Sequence, residues 1–155
     1  MASTRRLVLI IAIVIVAAVA VTLPFYALSL DRSASSSSGT TLPSGCVKPP
    51  GGFLIVASDL GYNDSELYYG KGSWPVLNVT EGSTVNITVC NTANYAHGFQ
   101  ISTYYQGSIV TVQPGEVLHV PAFVANKAGN FLIYCSIPCP IHIYMQYGEL
   151  RVASP

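Results

Sequence analysis

Charge is what this sequence has least of. Seven Lys and Arg face seven Asp and Glu in 155 residues, so 9% of the chain is charged and the formal net charge is zero. A neutral chain offers no electrostatic footprint for nucleic acid, and no nucleic-acid partner is expected. Internal repeats are absent, and after residue 33 no segment keeps a helical period. A helical bundle is thereby excluded for the body of the chain.

What the chain has in excess is apolar residues, half of the total, and they are unevenly spread. Leu7 to Leu30, LVLIIAIVIVAAVAVTLPFYALSL, contains no charge. As a helix it would be ~36 Å long, against a hydrocarbon core of about 30 Å. Pro24 lies near its outer end, where a kink costs least. Arg5 and Arg6 precede the span, while Asp31 and Arg32 cancel after it. The positive-inside bias puts the N-terminus in the cytoplasm and the remainder on the outer face of the cell membrane. A cleaved signal peptide competes, because Ala18-Val19-Ala20 has the form of a cleavage site. The charge-free run continues well past that site, which favours a retained anchor. Sequons at Asn63, Asn78 and Asn86 agree with an external surface.

Three regions follow. Residues 1–32 are the membrane anchor, and 33–45, SASSSSGTTLPSG, form a flexible Ser-rich linker with nothing to bury. Residues 46–155 form the external domain. Strands are expected at FLIVAS (53–58), VLNVT (76–80), TVNITVC (84–90), HGFQIS (97–102), SIVTV (108–112), EVLHV (116–120), NFLIYC (130–135) and GELRV (148–152). Glu81-Gly82-Ser83, Gln113-Pro114-Gly115 and Lys127-Ala128-Gly129-Asn130 supply the turns. Seven or eight short strands in about 110 residues describe an all-β, Greek-key β-sandwich.

The four cysteines divide. Cys46 opens the domain and Cys90 ends a strand, so a disulfide between them would pin the domain's start to its sheet. Cys135 and Cys139 lie in YCSIPCPIHIYM (134–145), together with His142 and Met145. One reading is a second disulfide closing a tight loop. Against it stands His97, in NTANYAHGFQI, which leaves a loop just before a strand. Thiolate, imidazole and thioether donors together select copper.

HGFQI, VQPGEV, AGNFLIYC with the following C, H and M, and the closing GELRV resemble the CuA domain of cytochrome c oxidase subunit II. The likeness is greatest to B-type haem–copper oxidases, with their single N-terminal membrane helix, and covers roughly residues 75–153. It implies a cupredoxin-like sandwich holding two coppers bridged by Cys135 and Cys139. His97 and His142 would be the imidazoles, Met145 the thioether and Ile137 the carbonyl ligand. It further implies an electron-accepting oxidase subunit with no catalytic residue of its own. Its partners would be the haem–copper subunit I and a small donor, cytochrome c or a blue-copper protein.

The sequence departs from that family at one point. Three residues separate the second cysteine from the histidine in the family, whereas only Pro140 and Ile141 stand between Cys139 and His142. Cys139-x2-His142-x2-Met145 matches instead the short ligand loop of mononuclear blue-copper proteins, with His97 as fourth ligand and one type 1 copper. A quinol oxidase subunit II with a vestigial site is a further reading. Three functional classes therefore stand: oxidase subunit, membrane-tethered electron carrier, and non-redox external module. His119 reads as a half-exposed strand residue. Trp74 and the tyrosines at 68, 69, 104, 105, 144 and 147 are candidates for a docking surface.

If the span is retained, the natural protein begins at or near Met1 and stays with membranes through a high-salt wash. A mature N-terminus near residue 21, with the domain in the soluble fraction, would reject the anchor.

Overall fold

Alternation of apolar and polar residues decides which strands form and which face each one buries. The computed structural model describes residues 42–155. The anchor over 1–32, and the linker as far as residue 41, lie outside the described residues. Among the described residues no helix is long and apolar enough to cross a membrane.

The strands are β1 (Phe53–Ser58), β2 (Gly61–Tyr62), β3 (Val76–Thr80), β4 (Thr84–Asn91), β5 (His97–Gly98), β6 (Gln100–Ile101), β7 (Thr111–Val112), β8 (Val117–Val124), β9 (Gly129–Tyr134) and β10 (Gly148–Ala153). Two 3₁₀ turns, Ser65–Tyr68 and His142–Met145, interrupt them. One four-stranded sheet runs β2-β1-β4-β8 and another β3-β10-β9-β6, with β5 and β7 as a small third. β1 and β4 pair in parallel, Phe53 opposite Ile87 through Ala57 opposite Asn91. β3 and β10 are likewise parallel, while β9 and β10 are antiparallel.

The turn at Glu81-Gly82-Ser83 makes no hairpin, because β3 and β4 belong to different sheets. Glu81 N–H donates to the Ala153 carbonyl beside one sheet, and Gly82 N–H to the Ala125 carbonyl beside the other, each at 2.8 Å. The turn thus carries the chain across the sandwich, so that Leu77 of β3 and Val85 and Ile87 of β4 enter the core from opposite layers. HGFQIS divides into β5 and β6 at Phe99, and SIVTV pairs only at its last two residues.

Ile55, Ala57, Val85, Ile87 and Val89 from the first sheet join Leu77, Phe131, Ile133, Leu150 and Val152 from the second in one buried core with Phe99 and Ile101. Each large aliphatic side chain so buried contributes about 1.5–3 kcal/mol before entropy is counted.

Cys46 and Cys90 form a disulfide, their Cα atoms 5.7 Å apart and both residues buried. The bond closes a ring with a sequence separation of 44. Replacing both cysteines by serine should lower unfolding free energy by about 2–4 kcal/mol. Denaturant titration would show it as a lower midpoint with the β-sheet spectrum retained. An unchanged midpoint would mean that the ring does not restrict the unfolded chain.

Candidate metal centre

β9 ends at Tyr134, which places Cys135 at the mouth of the sandwich. There its N–H donates to the Met145 carbonyl at 2.9 Å. β5 begins with His97, fully buried, on a strand paired to β7. The loop after β9 returns Cys139 toward both. His97, Cys135 and Cys139 bring their ligand atoms within 4.8 Å of one another. The two sulfurs are 3.8 Å apart, and Cys135 Sγ–H donates to the Ile137 carbonyl at 3.2 Å. Met145 is fully buried beneath, where a Cβ at Gly61 would come within 3.2 Å of its Cγ.

His142 lies outside that group of three. With only two residues between them, the chain turns from Cys139 straight into the 3₁₀ turn, and His142 N–H donates to the Cys139 carbonyl at 3.1 Å. Gln146 Nε2 donates to the Cys135 carbonyl at 3.0 Å and to the His142 carbonyl at 3.2 Å, tying the turn to the strand end.

The contact between β5 and the cysteine loop requires glycine at 98. A Cβ there would meet Ser136 Oγ at 2.5 Å, Ser136 N at 2.7 Å and Ile137 N at 2.8 Å. The same closeness lets Gly98 N–H donate to Cys135 Sγ at 3.2 Å. Buried Asn91 fixes the loop that delivers His97. Its Nδ2 donates to the Tyr95 and Val112 carbonyls at 2.9 and 2.8 Å, and its Oδ1 accepts from Ala93 N–H at 2.9 Å. Outside, Asn94 N–H and Tyr95 Oη–H reach the Asp59 carboxylate and carbonyl at 3.2 and 3.3 Å.

Both ring nitrogens of His97 are buried with no hydrogen-bond partner. Burial pushes its pKa below the usual histidine value, against an opposing pull from the Ser58 backbone and the Asp59 carboxylate. Burial first, and the adjacent Cys135 second, push the Cys139 thiol up to about 12. The Tyr62 hydroxyl is also held well above the ordinary phenol range by burial. A neutral imidazole and two adjacent soft sulfurs, none of them ion-paired, suit a soft or borderline metal ion.

The domain is similar to the copper-containing nitrite reductase of Thermus scotoductus SA-01, with TM-score 0.51 and 25% identity over 66% of this chain and 27% of that one. It is similar also to a multicopper oxidase, with TM-score 0.53 and 20% identity over 70% of this chain and 45% of that one. The copper nitrite reductase of Nitrosomonas europaea gives 0.50 and 23%, over 66% and 41%. The fold is cupredoxin-like. This chain covers less than half the length of each of these structures. No family model and no curated protein matches the sequence.

Sequence reasoning singled out the ligand types but missed Tyr62, Asn91, Tyr95, Gly98 and Gln146. Gly98 stood in view within HGFQI. Tyr62 had no signal, since two residues of strand leave no periodicity. The candidate aromatics divide between two places. Tyr68 stacks on Trp74 at 4.3 Å, and Tyr69 packs edge-on against Tyr144 and Tyr147 at 5.1 and 5.9 Å, all beside the 3₁₀ turns. Tyr104 instead stacks on Phe123 and packs edge-on against Phe131. His119 is exposed on β8.

Metal uptake by Cys139 must release its proton, because a thiol pushed up to about 12 is protonated at neutral pH. Affinity should therefore rise about tenfold per pH unit for this thiol alone. Cobalt(II) titrations between pH 6 and 8, read by thiolate absorption, measure that slope. A flat profile would mean that Cys139 is not a ligand.

Proposed function

We propose that this chain is subunit II of a haem–copper terminal oxidase, whose domain holds a binuclear CuA-type centre and passes electrons to haem in subunit I. The observation that carries the reading is the meeting of two free thiols with a buried, unpartnered histidine at one end of a cupredoxin-like sandwich. The copper enzymes of similar fold support copper as the metal. Bound copper would supply one-electron oxidation and reduction.

The chain's own residues do the rest. Cys135 and Cys139 face each other at 3.8 Å, which favours a shared pair of sulfurs over a single-metal site with Cys135 spare. His97 enters from β5. His142 and Met145, on the adjoining 3₁₀ turn, and the Ile137 carbonyl complete the set. Cys135 sits at a strand end with its N–H, carbonyl and sulfur all engaged, so its sulfur would move little as a bound copper gained or lost an electron. Little movement keeps the reorganisation cost of electron transfer low. The aromatic face of Tyr68, Tyr69, Trp74 and Tyr147 lies beside the same turns and would receive a small donor protein, cytochrome c or a blue-copper protein. The N-terminal anchor would hold the domain on the outer face of the membrane, against subunit I.

A second reading, a membrane-tethered blue-copper carrier, is favoured by the Cys139–His142–Met145 spacing. Metal analysis of the copper-loaded protein tells them apart. The oxidase reading expects two coppers per chain, a purple protein, and a paramagnetic spectrum split by both nuclei. Cys135→Ser and Cys139→Ser should each abolish that spectrum, because a protonated serine hydroxyl is a poor bridge. One copper in a blue protein that survives Cys135→Ser would establish the carrier. Failure to retain copper would point to the vestigial site.

A further inference from the structure

Tyr62 is fully buried on a two-residue strand that pairs only with β1, as Ala57 opposite Tyr62. Its ring packs edge-on against Phe99 at 5.8 Å and lies 6.5 Å from His97. Phenylalanine would fill that volume equally well. What tyrosine adds is a hydroxyl, and burying one costs free energy unless it finds a partner. Here the hydroxyl donates to the Gly98 carbonyl. Gly98 is thereby held on three sides: its carbonyl by Tyr62, its N–H on Cys135 Sγ at 3.2 Å, and its α-carbon against Ser136 and Ile137.

We propose that Tyr62 is a positioning residue for the metal centre: by fixing Gly98 it holds the Gly98 amide on the Cys135 sulfur and so sets that sulfur's electron density. The part concerning bound metal rests on the reading given under Proposed function, while the anchoring of Gly98 does not. An N–H donor draws electron density from a thiolate, which weakens its donation to a bound metal and favours the reduced form. Loosening Gly98 lengthens that hydrogen bond and shifts the balance toward the oxidised form.

The test is Tyr62→Phe in the full chain, read first without metal. The Gly98 amide should exchange with solvent about tenfold faster or more, while Ile87 and Val89 amides in β4 keep their wild-type rates. In the copper-loaded protein the sulfur-to-copper absorption band should shift and the reduction potential should fall. An unchanged Gly98 rate, or an acceleration spread equally over β4, would overturn the positioning role. Should Tyr62→Phe fail to fold, 3-fluorotyrosine placed at position 62 keeps the hydroxyl and makes it a stronger donor. Gly98 exchange should then slow and the potential rise, and no change in either would overturn the proposal. A chain that takes up no copper yet shows the exchange effect would overturn the oxidase reading and leave the anchoring of Gly98 standing.

Discussion

A histidine with both ring nitrogens buried and unpartnered is the constraint around which one end of this domain is arranged. Leaving a buried polar group unpaired costs about 1–3 kcal/mol, and His97 has two such atoms. The neighbouring Asn91 is buried just as deeply and has both ends of its amide engaged. The region is therefore able to satisfy polar groups, yet His97 and, close by, the Ser136 and Ser65 hydroxyls are left without partners. The core formed by the two sheets offsets the cost, and the parallel pairing of β1 with β4 holds the strand from which the His97 loop departs.

The two sulfurs at that end are held very differently. Cys135 is locked by the Met145 carbonyl, the Gln146 amide and the Gly98 N–H, and it is almost wholly buried. Cys139 stands half-buried on a loop between Pro138 and Pro140, whose fixed φ angles and the His142 N–H bond to the Cys139 carbonyl shape the path. The site thus has a preorganised side and an adjustable side. The two sulfurs lie 3.8 Å apart there. The same arrangement makes ionisation of Cys139 unfavourable until a cation arrives.

Strand positions were legible in the sequence: FLIVAS, read as a short buried run, and VLNVT, read from its alternation, coincide with β1 and β3 residue for residue, though β1 is buried on one face only. The pairing of Cys46 with Cys90 was legible too, from the position of each at a boundary. Sheet membership was not. VLNVT and TVNITVC read as neighbours across a turn, but a turn sequence does not reveal whether it joins two strands of one layer or crosses between two. The ligand types could be read from HGFQI and YCSIPCPIHIYM, because donor chemistry is written in residue identity. Their placement could not, because the shortened Cys139–His142 segment runs straight into the 3₁₀ turn His142–Met145 and leaves His142 outside the tight group. Tyr62 acts through a carbonyl distant in sequence, which no local pattern reports, whereas Asn91 bonds locally to Ala93 and Tyr95 and only its Val112 contact is remote.

The bond between Cys46 and Cys90 also decides how the domain would bear mechanical load. A pull arriving along the chain from the N-terminal side reaches Cys46 before it reaches β1. From there the tension passes through a covalent link into β4, which is flanked by β1 and β8. β1 is paired to β4 at that very point, Val56 opposite Cys90, so the two strands share the load. Tension on the chain would therefore enter beside Asn91, which fixes the loop that delivers His97, so the disulfide couples a pull at Cys46 to the end of the sandwich that carries the site.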